Sequence, residues 1–216
     1  MARRVFRTLL PARSGYALDR SRKARLIPSE RTQQRMSFLK SLPPDAGLLQ
    51  IFQAFPEAAR PLLEYHEVLL RGDSPFSAAE RELIAAYVSG LNDCDYCRAV
   101  HSQTAVVLGV DANAISEILS GSGLEHVDQR MQPVLGFVRK LTLLPGAIIA
   151  ADVDEVFAAG WDDRAIHDAA AICGLFNLVN RLVNGLGIEA SENYVQMAAQ
   201  RLAQGGYRQL VDLLRK

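Results

Sequence analysis

The chain has little that would tie it to an extreme environment. It has three cysteines in 216 residues, and two of them share one tight motif. That count excludes a small secreted scaffold held together by disulfides and fits a reducing cytoplasm. No apolar run approaches the roughly 20 residues that span a bilayer, and the longest candidates, 141–151 and 169–176, are short. No uninterrupted apolar segment follows the first arginines, so a secretory signal is not indicated. There is no net charge: 24 basic residues balance 24 acidic ones. The whole-chain balance therefore points to no nucleic-acid or acidic-membrane partner. No stretch alternates apolar and polar residues between turn signals as a strand would.

The absence of net charge hides an asymmetry. Residues 1–35 hold ten basic side chains against Asp19 and Glu30, and Pro11, Gly15 and Pro28 interrupt them. This segment reads as a flexible basic arm, or as leader residues ahead of a natural start at Met36. An organellar transit peptide, or an arm that binds nucleic acid or membrane, shares the same composition. Residues 36–216 read as one helical domain. The apolar fraction of 49% is enough for a sizeable core.

What is present is helical periodicity. A helix is expected over 56–70, ending near Gly72. Ser77-Ala78-Ala79-Glu80 is a capping box, followed by apolar Leu83, Ile84, Tyr87, Val88 and Leu91 at helical spacing. Asn92-Asp93 breaks that helix, and the next runs from about 94 to 108 before Gly109. Further helices are expected over 111–119, 128–143 and 152–159. A long one, capped by Asp162 or Asp163, reaches residue 186 before Gly187, and Ser191 opens the last. The segments 107–111 and 185–189 echo one another faintly, as two related helical halves would.

Cys94-Asp95-Tyr96-Cys97 is the sharpest feature. On a helix, residues three apart share a face, so the two sulfurs lie within reach of a disulfide. The preceding break puts the pair in the first helical turn, where free amides and the helix dipole favour a thiolate. His101 follows Cys97 by one turn and would exchange a proton with a thiol. Counted outward from the break, Glu82 falls opposite His101 in a helical hairpin. Glu82 shares its face with Ala85, Ala86 and Ser89, so a neighbouring helix approaches closely there. A carboxyl in that crevice is expected to have a raised pKa.

Other readings of these residues stay open. A CxxC is half of a zinc site, but Cys94, Cys97 and His101 give three ligands where four are normal, and Cys173 sits in an apolar run. Thioredoxin chemistry expects a βαβ context, and a c-type haem needs histidine where Arg98 stands. His66, His126 and His167 read as surface or structural residues, and Glu82 as a solvated helix residue is the plain alternative.

Glu82-x(11)-Cys94-x-x-Cys97-x(3)-His101 resembles the signature of the AhpD-like superfamily, which also holds the carboxymuconolactone decarboxylases. Residues 81–84 and 89–97 are similar to its uncharacterised peroxidase-related branch, as is Phe176-Asn177-Leu178-Val179-Asn180-Arg181-Leu182. The resemblance covers roughly residues 40–200. It implies an all-α, AhpD-like multi-helical fold of two weakly related halves, with the CxxC at a helix N-terminus. It also implies a homo-oligomer, trimer or hexamer, with alkyl hydroperoxidase activity and no cofactor. On that scheme Cys97 is the peroxidatic thiol and Cys94 the resolving one. Glu82 and His101 form a proton relay, and a dithiol or lipoyl-type reductant regenerates the pair. Tyr96 stands where the characterised peroxidase has a second histidine, and as a base it is weaker. The alternatives are a slow redox sensor or scaffold and a metal-binding module.

Overall fold

The computed structural model describes residues 37–43, 45–121 and 123–214. The basic arm expected at 1–35 lies outside them. Among the described residues there is no strand, and the chain is all-α. The helices are α1 (Leu48–Ala54), α2 (Pro56–Arg71), α3 (Ala78–Leu91), α4 (Asp95–Val107), α5 (Ala112–Ser120), α6 (Met131–Leu143), α7 (Ala150–Ala158), α8 (Asp163–Gly185), α9 (Glu192–Gly205) and α10 (Arg208–Leu213).

The centre of the molecule is α3. Its capping box forms as expected: Ser77 Oγ accepts from the Glu80 amide at 3.2 Å, and Glu80 Oε2 accepts from the Ser77 amide at 2.7 Å. Every residue from Arg81 to Ser89 is buried. A helix covered on all sides needs small residues somewhere to admit its neighbours. Ala85, Ala86 and Ser89 serve that purpose, and α3 packs on α4, α6 and α8.

The α3–α4 turn sets the position of the CxxC. The Cys94 amide donates to Ser89 O at 3.0 Å and the Asp93 amide donates to Gly90 O at 3.2 Å, which is the Schellman pattern. Such a turn needs a left-handed residue after the C-cap. Asp93 fills that position with φ +52°, which Asp tolerates better than most side chains. Cys94 thereby becomes the N-cap of α4.

The same double hydrogen bond ends α4 at Gly109 and α8 at Gly187. The echo between 107–111 and 185–189 is therefore a shared cap geometry. Gly187, at φ +67°, has a second constraint, because a Cβ there would meet the Phe38 ring at 2.7 Å.

Two boundaries differ from expectation. Residues 128–130 form a turn in which Asp128 Oδ1 accepts from the Arg130 amide, and α6 starts only at Met131. The C-terminal segment divides at Gly206, φ +62°, into α9 and α10. Glu67 Oε2 holds this corner, accepting from the Tyr207 amide at 2.7 Å and the Arg208 amide at 3.1 Å. Beside it, Phe52, Ala59, Leu63, Val211 and Leu214 form a small apolar cluster that ties α10 to α1 and α2.

Candidate active site

The helical hairpin brings Glu82 on α3 against His101 on α4. Glu82 is sealed from solvent, and its Oε2 lies 2.6 Å from His101 Nδ1. The opposite-register count from sequence therefore holds. The crevice holds polar partners besides the small residues read from the sequence. Glu82 Oε1 accepts from Arg71 Nη2 at 2.6 Å and from the Tyr207 hydroxyl at 3.1 Å. Arg71 is itself fixed by Leu70 O at 2.7 Å and Leu202 O at 3.0 Å.

This corrects the expected proton affinity of Glu82. Burial pushes its pKa up, but the charge and hydrogen bond of His101, and then those of Arg71, more than offset that and hold it below the usual value. Glu82 is a fixed carboxylate. Its partner Nδ1 is thereby committed, so Nε2 is the His101 nitrogen left for exchange with another group.

The two cysteines have different surroundings. Both are buried and reduced. Cys97, on the α4 face that also carries Val100 and His101, lines a narrow cavity of about 70 Å³, and Cys94 does not. The proton preference runs the other way. Cys94 is pushed down, chiefly by the Cys97 thiol donating to it, against burial, with further help from the Cys97 amide and Asn180. Cys97 is pushed well up, first by that same donation and then by burial. Within the dithiol, the hydrogen bond between the two sulfurs favours the proton on Cys97 and the anion on Cys94.

Asn180 is central to this environment. It is buried on α8, accepts from Asn92 Nδ2 at 3.0 Å and donates to Ser89 Oγ at 3.0 Å. Asn92 also donates to Asn177 Oδ1 at 3.2 Å. These amides hold the end of α3 to α8, next to the sulfurs.

The cavity runs between α1, α2, α4, α8, α9 and the 207–210 corner. Its walls are mainly apolar, with Phe52, Leu63, Val100 and Val179 among them. Tyr96 also lines it, but not as a base: burial pushes its phenol well up, and its hydroxyl donates to Tyr194 Oη at 2.7 Å.

His66 was read as a surface or structural residue, yet it is buried and lines the cavity. Its Nδ1 lies 2.7 Å from Leu62 O, and burial lowers its pKa to about 4. Its ring lies tilted against Tyr207 at 5.1 Å and edge-on to Phe176 at 5.9 Å, and Phe176 also meets His101 edge-on at 4.5 Å. A signal for His66 existed in the sequence, because it falls on the buried stripe of α2 with Ala59, Leu63 and Leu70. Arg71 and Tyr207 gave none, since only the tertiary fold brings residues 71 and 207 to residue 82. Cys173 is a core residue as expected, 3.2 Å from Thr142 Oγ1.

Comparison with known proteins agrees with this arrangement. Residues 56–134 match the model of the carboxymuconolactone decarboxylase family. No curated protein matches the chain. Among solved structures it is similar to an uncharacterized peroxidase-related protein from Silicibacter sp. TM1040. The two are 28% identical over 68% of this chain and 78% of that one, with a TM-score of 0.65. A second, from Ralstonia eutropha JMP134, is described as an alkylhydroperoxidase AhpD core and an uncharacterized peroxidase-related protein. It is 23% identical over 69% and 78%, with a TM-score of 0.64. The debrominase Bmp8 shares the fold at 16% identity, over 80% of this chain and 83% of its own, with a TM-score of 0.59. The motif that joins Glu82, Cys94, Cys97 and His101, the helical hairpin that carries it and these likenesses agree: residues 56–134 match the carboxymuconolactone decarboxylase family, and the chain has the fold of AhpD-like peroxidase-related proteins.

Proposed function

We propose that the chain is a thiol-dependent peroxidase that reduces organic hydroperoxides through a Cys94/Cys97 dithiol–disulfide cycle. One observation carries this reading: Cys97 and the Glu82-bound His101 open onto the same narrow, mainly apolar cavity. A nucleophile, a base and a group that orients the base form the arrangement that activates a weak nucleophile.

The mechanism follows from the local chemistry. His101 Nε2 takes the proton of Cys97. The Cys97 sulfur attacks the hydrogen-bearing oxygen of the peroxide, the O–O bond breaks, and the electron pair leaves on the alkoxide. His101 returns its proton to that alkoxide, which departs as an alcohol, and Cys97 becomes a sulfenic acid. The Cys94 sulfur, held as the better anion at the start of α4, attacks the sulfenic sulfur; the S–O bond breaks, the hydroxide takes a proton from solvent and leaves as water, and the disulfide forms. An external dithiol or lipoyl-type reductant restores the pair by exchange. Glu82 stays ionised throughout and supports the positive charge on His101. Neither cofactor nor metal enters.

The partners on this reading are the hydroperoxide, the reductant and further copies of the chain in a trimer or hexamer. Leu143, Leu144, Ile149 and Phe157 are exposed along α6 and α7, which suits self-association. Among the described residues no helix is long and apolar enough to cross a membrane. A reducing cytoplasm would keep the dithiol ready.

Steady-state consumption of tert-butyl hydroperoxide with excess dihydrolipoamide or dithiothreitol tests the function. Sustained turnover that scales with protein supports a peroxidase. One equivalent of oxidation followed by a stall would identify a redox sensor instead.

A further inference from the structure

The cavity holds a second histidine for which the mechanism above has no role. Nδ1 of His66 donates to Leu62 O at 2.7 Å, so the lone pair of the neutral ring is on Nε2. Burial disfavours protonation of the ring and outweighs the Leu62 hydrogen bond, which favours it; the charges of His101 and Glu82 act in opposite directions. The ring is flanked by Tyr207, tilted at 32°, and by Phe176, which meets it edge-on. Nε2 has no partner among the described residues and is not among the sealed polar atoms. The ring lines the cavity into which Cys97 and His101 open, so this nitrogen is an acceptor in a mainly apolar chamber.

We propose that His66 Nε2 accepts the O–H of a hydroperoxide in this cavity and turns its hydrogen-bearing oxygen towards the Cys97 sulfur. The proposal rests on the peroxidase reading and adds to it a substrate-binding residue. A hydroperoxide has the O–H that His66 requires and presents its other oxygen, with an apolar group attached, to the rest of the cavity. A dialkyl peroxide has no O–H and leaves the buried acceptor unpaired, so it is rejected. The bond balance is unchanged: the hydrogen held by His66 stays on the oxygen that sulfur captures, and the proton for the alkoxide comes from His101.

The test compares two reactions of the same thiol. Cys97 oxidation by tert-butyl hydroperoxide is followed in a single turnover by stopped flow. Alkylation of Cys97 by iodoacetamide, which needs no acceptor for an O–H, serves as the reference. His66→Phe keeps a ring on Tyr207 and Phe176 but removes the acceptor, and His66→Leu serves the same comparison if the phenyl ring disturbs the fold. Loss of one neutral hydrogen bond should slow oxidation by about fivefold to tenfold, while alkylation changes by less than about twofold. Oxidation and alkylation falling together, or neither falling, overturns the assignment of His66 alone. A wild-type protein that alkylates but does not react with the peroxide overturns the peroxidase reading and this proposal with it.

Discussion

His66 should make the fold sensitive to mild acid. Its pKa is lowered from 6.5 to about 4 in the folded protein, because the buried ring is taken out of water. Between those values the unfolded chain binds a proton that the folded chain refuses. Stability from this residue is therefore fully present above about pH 6.5 and falls as the pH drops towards 4, with no further change below. At 1.36 kcal/mol per pKa unit the full loss is about 3 kcal/mol, of which about 2 kcal/mol has gone by pH 5. Other groups contribute to the pH dependence of stability, so the quantity to measure is a difference between proteins. Urea unfolding of wild type and His66→Phe at pH 7, 6 and 5, followed by circular dichroism, gives it. The stability of wild type should fall by about 2 kcal/mol more than that of the variant between pH 7 and 5. Parallel pH curves would refute the claim that His66 is buried and neutral.

Three further outcomes follow from named contacts. Arg71→Met removes a cation and a hydrogen bond from Glu82 Oε1, so the Glu82 carboxyl should gain its proton at higher pH, seen as an infrared carboxylic-acid band. The same change should cost roughly 3–5 kcal/mol in unfolding free energy, because it breaks a buried pair from one side. Ser77→Ala removes the side-chain cap of α3 and should cost about 1 kcal/mol in the same measurement. Peroxide treatment should give a Cys94–Cys97 disulfide and leave Cys173 reduced by peptide mapping, since burial pushes the Cys173 thiol up and no cysteine partner lies beside it.

Local signals in the sequence were enough to locate most of the helices and the hairpin. Ser77, Asp111, Asp162 and Ser191 each accept a first-turn amide as N-cap, and Gly109 and Gly187 stop helices at positive φ. The Glu82–His101 pair was legible because one short turn fixes the register of α3 on α4. The misses around Glu82 and the CxxC concern contacts at long range. Arg71 comes from α2 and Tyr207 from a corner 125 residues after Glu82, and together with His101 they turn the expected protonatable carboxyl into a fixed anion. Asn180 reaches the CxxC from α8 on the strength of side-chain hydrogen bonds that no periodicity encodes. The helix α1 has only seven residues, too short to show a period, and is held by packing on α2.

The division of labour between the two cysteines is the centre of the account, because position and proton affinity favour different sulfurs. Cys97 faces the cavity, and Cys94 is the better anion behind it. Cys94→Ser and Cys97→Ser proteins, each treated with one equivalent of tert-butyl hydroperoxide in the presence of a sulfenic-acid trap, separate them by intact mass. The account predicts one trap adduct at Cys97 in Cys94→Ser and none in Cys97→Ser. An adduct at Cys94 in Cys97→Ser, with Cys94→Ser inert, would contradict it.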